Sequence, residues 1–263
     1  MHLSGPGSSG TGATVLRMAE FEDEDLSGAR FQRVTLADAR LRDVNLYRAV
    51  MRGVELVDAD ISGDITGLRI NGVEVAPLVE AELDRRDPER VKMRPTDPDG
   101  FRAAHDLLER LWGETVARAR RLDPALLHES VDDEWSFIQT LRHLVFVTDS
   151  WVRRAILGEP APWHPLALPW DTMPDYPGVP WDRAARPSLD EVLDLVRDRR
   201  AIVRTVLAEL TEGQLATDTT PADGPGWPPS RSYPVRDCLL TLLNEEWQHR
   251  LYAERDLAVL ETR

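Results

Sequence analysis

From Phe21 to Ile61 a large apolar residue stands at every fifth position: Phe21, Leu26, Phe31, Leu36, Leu41, Leu46, Met51, Leu56 and Ile61. Small residues mostly precede them by two, as with Ala19, Ala29, Val34, Ala39, Val44, Ala49, Val54 and Ala59. A helix repeats at 3.6 and a strand at 2.0, so neither produces a period of five. A short fixed repeat predicts a solenoid, in which each unit buries its apolar residue only by stacking on its neighbours. Nine repeats make a short array, which is expected to lean on the domain that follows.

Beyond the repeats the periodicity changes. Asn71-Gly72 lies between alternating apolar residues in GLRINGVEV, a hairpin signal. Pro77 to Arg86 reads as a short helix, and the Pro- and charge-rich run DPERVKMRPTDPDG marks the expected domain boundary. From Asp97 onward four amphipathic helical patterns follow: Asp97 to Leu122; Ser136 to Leu157, ended by Gly158; a third capped by Ser188 and stopped by Gly213; and Pro234 to Leu260. His105 is expected on the surface or flank of the first. Two long irregular connections interrupt the helices. Glu159 to Pro187 is about thirty residues dense in Pro and Trp, a length that in compact domains usually marks a functional cover. Trp163, Trp170, Tyr176 and Trp181 predict an ordered lid or wall there. The expected layout is a tail over 1–18, the solenoid over 19–66, the hairpin, short helix and linker over 67–96, and a four-helix bundle over 97–263, an α+β multidomain chain.

Composition narrows the function. A net charge of -14 disfavours binding to nucleic acid through phosphate neutralisation. No apolar run approaches the ~18 to 20 residues that span a bilayer, and the Gly- and Ser-rich start does not look like a secretory signal. Cys238 is the only cysteine, which excludes an intramolecular disulfide framework and fits a reducing cytoplasm. It is expected in the core. Lys92 is the only lysine, so Schiff-base chemistry has one weak candidate.

The last helix carries the chemistry. Glu245 and His249 are four apart, hence on one face and one turn from each other, where both can reach one metal ion or substrate atom. The best partner is His143, set among Leu141, Leu144 and Val145 in the second helix. Glu246, three before His249, is the alternative carboxylate. Two imidazoles and a carboxylate suit catalytic zinc, and with open positions also iron(II), nickel or manganese. The competing view is a metal-free core in which Glu245 only orients His249.

Two resemblances add to this reading. The five-residue pattern resembles the pentapeptide-repeat family, which implies a right-handed quadrilateral β-helix with four repeats per coil. The stretches WSFIQTLRHL and NEEWQHRLYAERDL resemble the DinB-like superfamily, metal-binding four-helix bundles that include the mycothiol-dependent enzymes. That family places one ligand His on the second helix and two more four apart on the last, often followed by Arg and Gly-Gln. His143, His249 and Arg250 match; Glu245 stands where a His is expected, and Leu251-Tyr252 replaces Gly-Gln. The resemblance implies a Zn, Ni or Fe site made of His143, Glu245 and His249. It also implies a low-molecular-weight thiol as co-substrate, in an S-transferase or isomerase acting on a small electrophile. Arg250, Trp163, Trp170 and Tyr252 are the expected substrate contacts, with Arg142 and Arg255 as further anion-binding candidates. A metal-activated water would instead make a hydrolase, and a bundle without full metal competence would be a non-catalytic metabolite or partner binder. A homodimer is compatible with either.

Overall fold

A computed structural model of the chain describes residues 20–263; the expected tail over 1–18 and Ala19 lie outside them. The chain divides into two units, one ending at Ile61 and the other running from Ser62 to Arg263.

In the first unit the period of five is written into the backbone. Asp23, Gly28, Arg33, Asp38, Asp43, Arg48, Gly53 and Asp58 all have positive φ, so the chain turns a left-handed corner two residues after each apolar residue. Glycine takes this conformation freely and aspartate tolerates it, whereas Arg33 and Arg48 adopt it against their preference. Every second repeat closes a tight turn, with Ala29, Ala39 and Ala49 donating to the carbonyls of Leu26, Leu36 and Leu46. The sheet expected of a β-helix is not formed: no strand occurs between residues 20 and 61. The repeated apolar side chains remain 45 to 66% exposed. With little more than two coils, a coil has a neighbour on one side at most, so the stacking that would bury those side chains is mostly missing.

In the second unit β1 (Arg69–Ile70) and β2 (Val73–Glu74) form the predicted hairpin, turned by Asn71 and Gly72 at φ 50 and 84. Helix α1 (Ala76–Arg86) and a 3-10 turn (Pro88–Met93) follow. The stretch expected as a linker belongs with the bundle: the turn packs on its first and last helices, and Met93 enters their core.

The bundle consists of α2 (Pro98–Ala119), α3 (Phe137–Thr148), α4 (Leu189–Glu209) and α6 (Val235–Leu260). Helix α2 packs on α6, α6 on α3, α3 on α4 and α4 on α2, closing a ring. Asp97 caps α2 through the Gly100 amide, and full capping boxes start α3 (Ser136 with Gln139) and α4 (Ser188 with Glu191). After Thr148 the α3 axis continues as a π-helix (Asp149–Ile156), and Gly158 at φ 75 ends it as expected. Helix α4 stops earlier than expected, at Leu210. Thr211 and Gln214 form a capping box of their own and open a short helix, α5 (Glu212–Leu215), so Gly213 sits inside a helix rather than ending one. Two apolar clusters fill the interior. One gathers Phe101, Leu108, Leu243 and Trp247; the other gathers Trp112, Ile138, Phe146 and Leu257. Each side chain of this size contributes about 2 to 3 kcal/mol by leaving water.

Two arginines expected to be accessible, or not singled out, tie the long loops to this core. Arg142 is fully buried and spends its guanidinium on the carbonyls of Leu166, Ala185 and Asp182, all in the loop between the π-helix and α4. It is therefore not available to hold a substrate carboxylate. Arg154 does the same for both irregular connections, donating to Pro160 in the first and to Asp223, Gly224 and Pro228 in the second. Backbone oxygens in irregular structure need donors when buried, and a guanidinium offers five N–H groups from one side chain.

Candidate metal centre

His143 and the pair on α6 meet where α3 and α6 pack. Glu245 Oε2 lies 3.1 Å from His249 Nε2 and 3.6 Å from His143 Nε2. One ligand atom from each residue falls within 4.8 Å of the others. Tetrahedral zinc with bonds of about 2.0 to 2.2 Å separates its ligands by roughly 3.3 to 3.6 Å, a range close to both Glu245 separations.

The electrostatics suit a ligand set. His143 is buried, and its Nδ1 lies 2.9 Å from the Leu168 carbonyl. A carbonyl can only accept, so Nδ1 carries the proton and Nε2 presents its lone pair to Glu245 and His249. Burial pushes the His143 pKa down, against the opposing pull of Glu245, and keeps the ring neutral. At Glu245 burial works to raise the pKa, but the facing His143 and His249 rings outweigh it and hold the carboxyl well below its usual range. The centre thus offers a neutral imidazole at His143 and an anion at Glu245, with the His249 ring beside them.

Glu246, the alternative carboxylate, faces elsewhere: it is buried and pairs with Arg200 at 3.4 Å. His105 is not on a surface or flank but 4% exposed, with Arg200 and Arg204 near its ring. It also lies close to Asp106 and Glu109, yet Glu109 is engaged by Arg204 and the local arginines repel a cation.

The remaining expected contacts are distributed unevenly. Tyr252, 38% exposed, packs edge-on to His249 with centroids 5.9 Å apart. Trp170 is one ring removed, packed 6.2 Å from Phe146, which in turn lies 6.1 Å from His143. Trp163 is buried further off: its indole donates to Ser150 Oγ, and its ring closes on Gly226, where any side chain would collide with it. Arg250 follows His249 but points about 100° round the helix. It has no ion-pair partner among the described residues, and its Nε is buried without a hydrogen bond. Arg255 is spent on Asp256 and Glu134.

The sequence reading missed Trp135. Its ring stacks on His249 at 5.7 Å and 15°, sits 4.5 Å from the His143 ring, and is held by an indole hydrogen bond to Asp171. The only signal was its place directly before the Ser136 cap, where an apolar side chain often folds back on its helix.

The comparisons with known proteins agree with this division of the chain. A family model described as the DinB superfamily matches residues 107–253, which include all three candidate ligands, and one described as pentapeptide repeats matches residues 25–63 in eight copies. No curated protein and no solved structure matches the chain.

Proposed function

From the premise that the chain belongs to the DinB superfamily, we propose that its bundle holds one divalent metal at His143, Glu245 and His249. We further propose that it uses this metal to activate a low-molecular-weight thiol against a small electrophile, as an S-transferase or isomerase. The observation that carries the reading is the tautomer of His143: a ring anchored through Nδ1 to Leu168 and aimed through Nε2 at a carboxylate and a second imidazole is arranged as a ligand.

Bound there, a divalent metal would supply a Lewis acid that favours the thiolate at neutral pH. The chain's own residues supply the rest. His143 and His249 contribute neutral donors and Glu245 one negative charge, which offsets part of the cation's charge in a half-buried setting. Trp135 and Phe146 keep water from the imidazoles, and Trp170 backs the wall behind Phe146. Arg250, a cation without an acidic partner among the described residues, is the proposed seat for a carboxylate of thiol or substrate. Tyr252 stands half-exposed beside His249 and offers a hydroxyl where substrate would enter.

One observation favours a second reading, a non-catalytic metabolite binder. Glu245 Oε2 stands 3.1 Å from His249 Nε2 and can accept a hydrogen bond from it without an ion. Metal analysis of untagged protein separates the two. Near-stoichiometric metal that disappears in His249→Ala supports the metal enzyme, and wild-type protein that neither retains nor takes up Zn, Ni or Fe supports the binder.

A further inference from the structure

Between the buried residues Val131 and Ser136 the chain runs past the imidazoles of the candidate centre as a short strap, residues 132–135. Asp132 and Asp133 both take left-handed backbone, at φ 50 and 60, and the Glu134 amide closes the turn on the Val131 carbonyl. Left-handed backbone in residues other than glycine persists where the surroundings hold it, and such segments recur at ligand clamps and switches. Trp135 then lays its ring on His249 and against His143 before α3 begins.

The side-chain tethers of this strap are weak. Glu134 pairs with Arg255 of α6 at 2.6 Å, and Trp135 Nε1 donates at 3.0 Å to Asp171 Oδ1, an oxygen that also pairs with Arg183 at 2.6 Å. The side chains of Glu134, Arg255, Asp171 and Arg183 are 38 to 44% exposed, and ion pairs this open to water contribute little. Arg142 and Arg154, which tie down the long loops, are by contrast fully buried. The strap is thus fixed at both ends and lightly held in the middle, and local opening begins where contacts are few and exposed.

We propose that residues 132–135 form a lid over the candidate metal centre, which swings on the Asp132–Asp133 turn as Trp135 leaves Asp171 and Glu134 leaves Arg255, and so governs access from solvent to the His143 and His249 rings. The lid rests on the reading of His143, Glu245 and His249 as the working site. It adds to that reading a closed state, with Trp135 on the imidazoles, and an open one in which their faces are free.

The test measures the rate at which diethyl pyrocarbonate modifies His249 in the metal-free full chain, read by peptide mass spectrometry, with buried His105 on α2 as the internal control. A lid and a fixed wall differ in what exposes the ring. Glu134→Ala/Asp171→Ala cuts both tethers and keeps Trp135, so it should raise the His249 rate about five- to thirtyfold, as for loss of an exposed ion pair and a hydrogen bond. Trp135→Ala should raise it at least as far, and His105 should stay slow in both. If the double variant does not fold, wild type at about 1 M salt, which screens both exposed pairs, should show a faster His249 and an unchanged His105. A His249 rate that tether release leaves at the wild-type value makes Trp135 a fixed wall and overturns the proposal. So does a wild-type rate already equal to that of Trp135→Ala, or a gain shared by His105. Wild-type protein that takes up no zinc counts against the metal enzyme alone, because the histidine rates are measured without metal.

Discussion

The backbone carbonyl of Leu168 accepts a hydrogen bond from His143 Nδ1 at 2.9 Å, so a residue in the irregular loop after α3 decides which nitrogen of an α3 histidine faces α6. The loop is part of the centre although it donates no ligand to it. A further anchor at the same residue is also on α3, since the Leu168 amide donates to the carbonyl of Arg142, the residue before His143.

That linkage predicts the behaviour of Arg142→Met. The change leaves three loop carbonyls without their donor while keeping the apolar stem. Loss of charged hydrogen bonds and orphaned buried acceptors should cost about 3 to 5 kcal/mol in chemical denaturation. Metal affinity should fall about 10- to 100-fold as His143 loses its orientation. Unchanged metal affinity in a folded variant would detach the loop from the site.

Glu245 distinguishes a ligand from a spacer. Glu245→His restores the two-histidine spacing of the family pattern and should keep a metal site. Glu245→Ala leaves two donors and should reduce affinity at least 100-fold, while His128→Ala should leave it unchanged. Equilibrium dialysis with Zn or Ni measures all three. If Glu245→Ala binds metal as tightly as wild type, the carboxylate is not a ligand.

Acid should destabilise the bundle through His105. Burial, with smaller contributions from Arg200 and Arg204, lowers its pKa from 6.5 to about 4 in the folded chain. The folded value lies below the unfolded one, so the unfolded chain binds the proton first. The stability contribution is fully present above about pH 6.5 and is lost as pH falls towards 4. The loss is of order 3 kcal/mol, at about 1.4 kcal/mol per pKa unit. Urea midpoints between pH 7 and 4.5 should fall in wild type and fall less steeply in His105→Phe. Parallel pH profiles in the two proteins would contradict the assignment.

Trp135 should report on the centre optically. Its ring stacks on His249 and contacts His143, so binding of Ni or Co there should quench its emission. The quenching should be mostly lost in Trp135→Phe, with metal stoichiometry unchanged. Quenching that survives the substitution would place the metal nearer another indole.

Local spacing made the three candidate ligands readable: Glu245 and His249 by a period of four, His143 as an imidazole inside an apolar helix. Features set by distant residues were not readable. Arg142 resembled a free cation because its acceptors lie 24 to 43 residues away in sequence. His105 was placed on a flank because only α4 supplies the arginines beside it. Trp135 belongs to no periodic pattern. Gly213 misled for a different reason: Thr211 and Gln214 form a capping box visible in the sequence, and a helix start two residues before a glycine outweighs the glycine as a stop. The repeat period survived as a series of corners, but a period alone does not specify whether neighbouring coils pair as sheet.

Those corners also bear on how this chain can change in length. Each left-handed residue stands two positions after a large apolar one, and only Gly, Asp and Arg occupy these places from Asp23 to Asp58. Removing a single residue would shift all later corners onto other side chains, including the β-branched Val44 and Val54, for which left-handed backbone is strongly disfavoured. Insertions and deletions within this unit are therefore tolerated in steps of five residues, fifteen bases of coding sequence, and a frame-preserving loss of three bases would do more damage than a loss of fifteen.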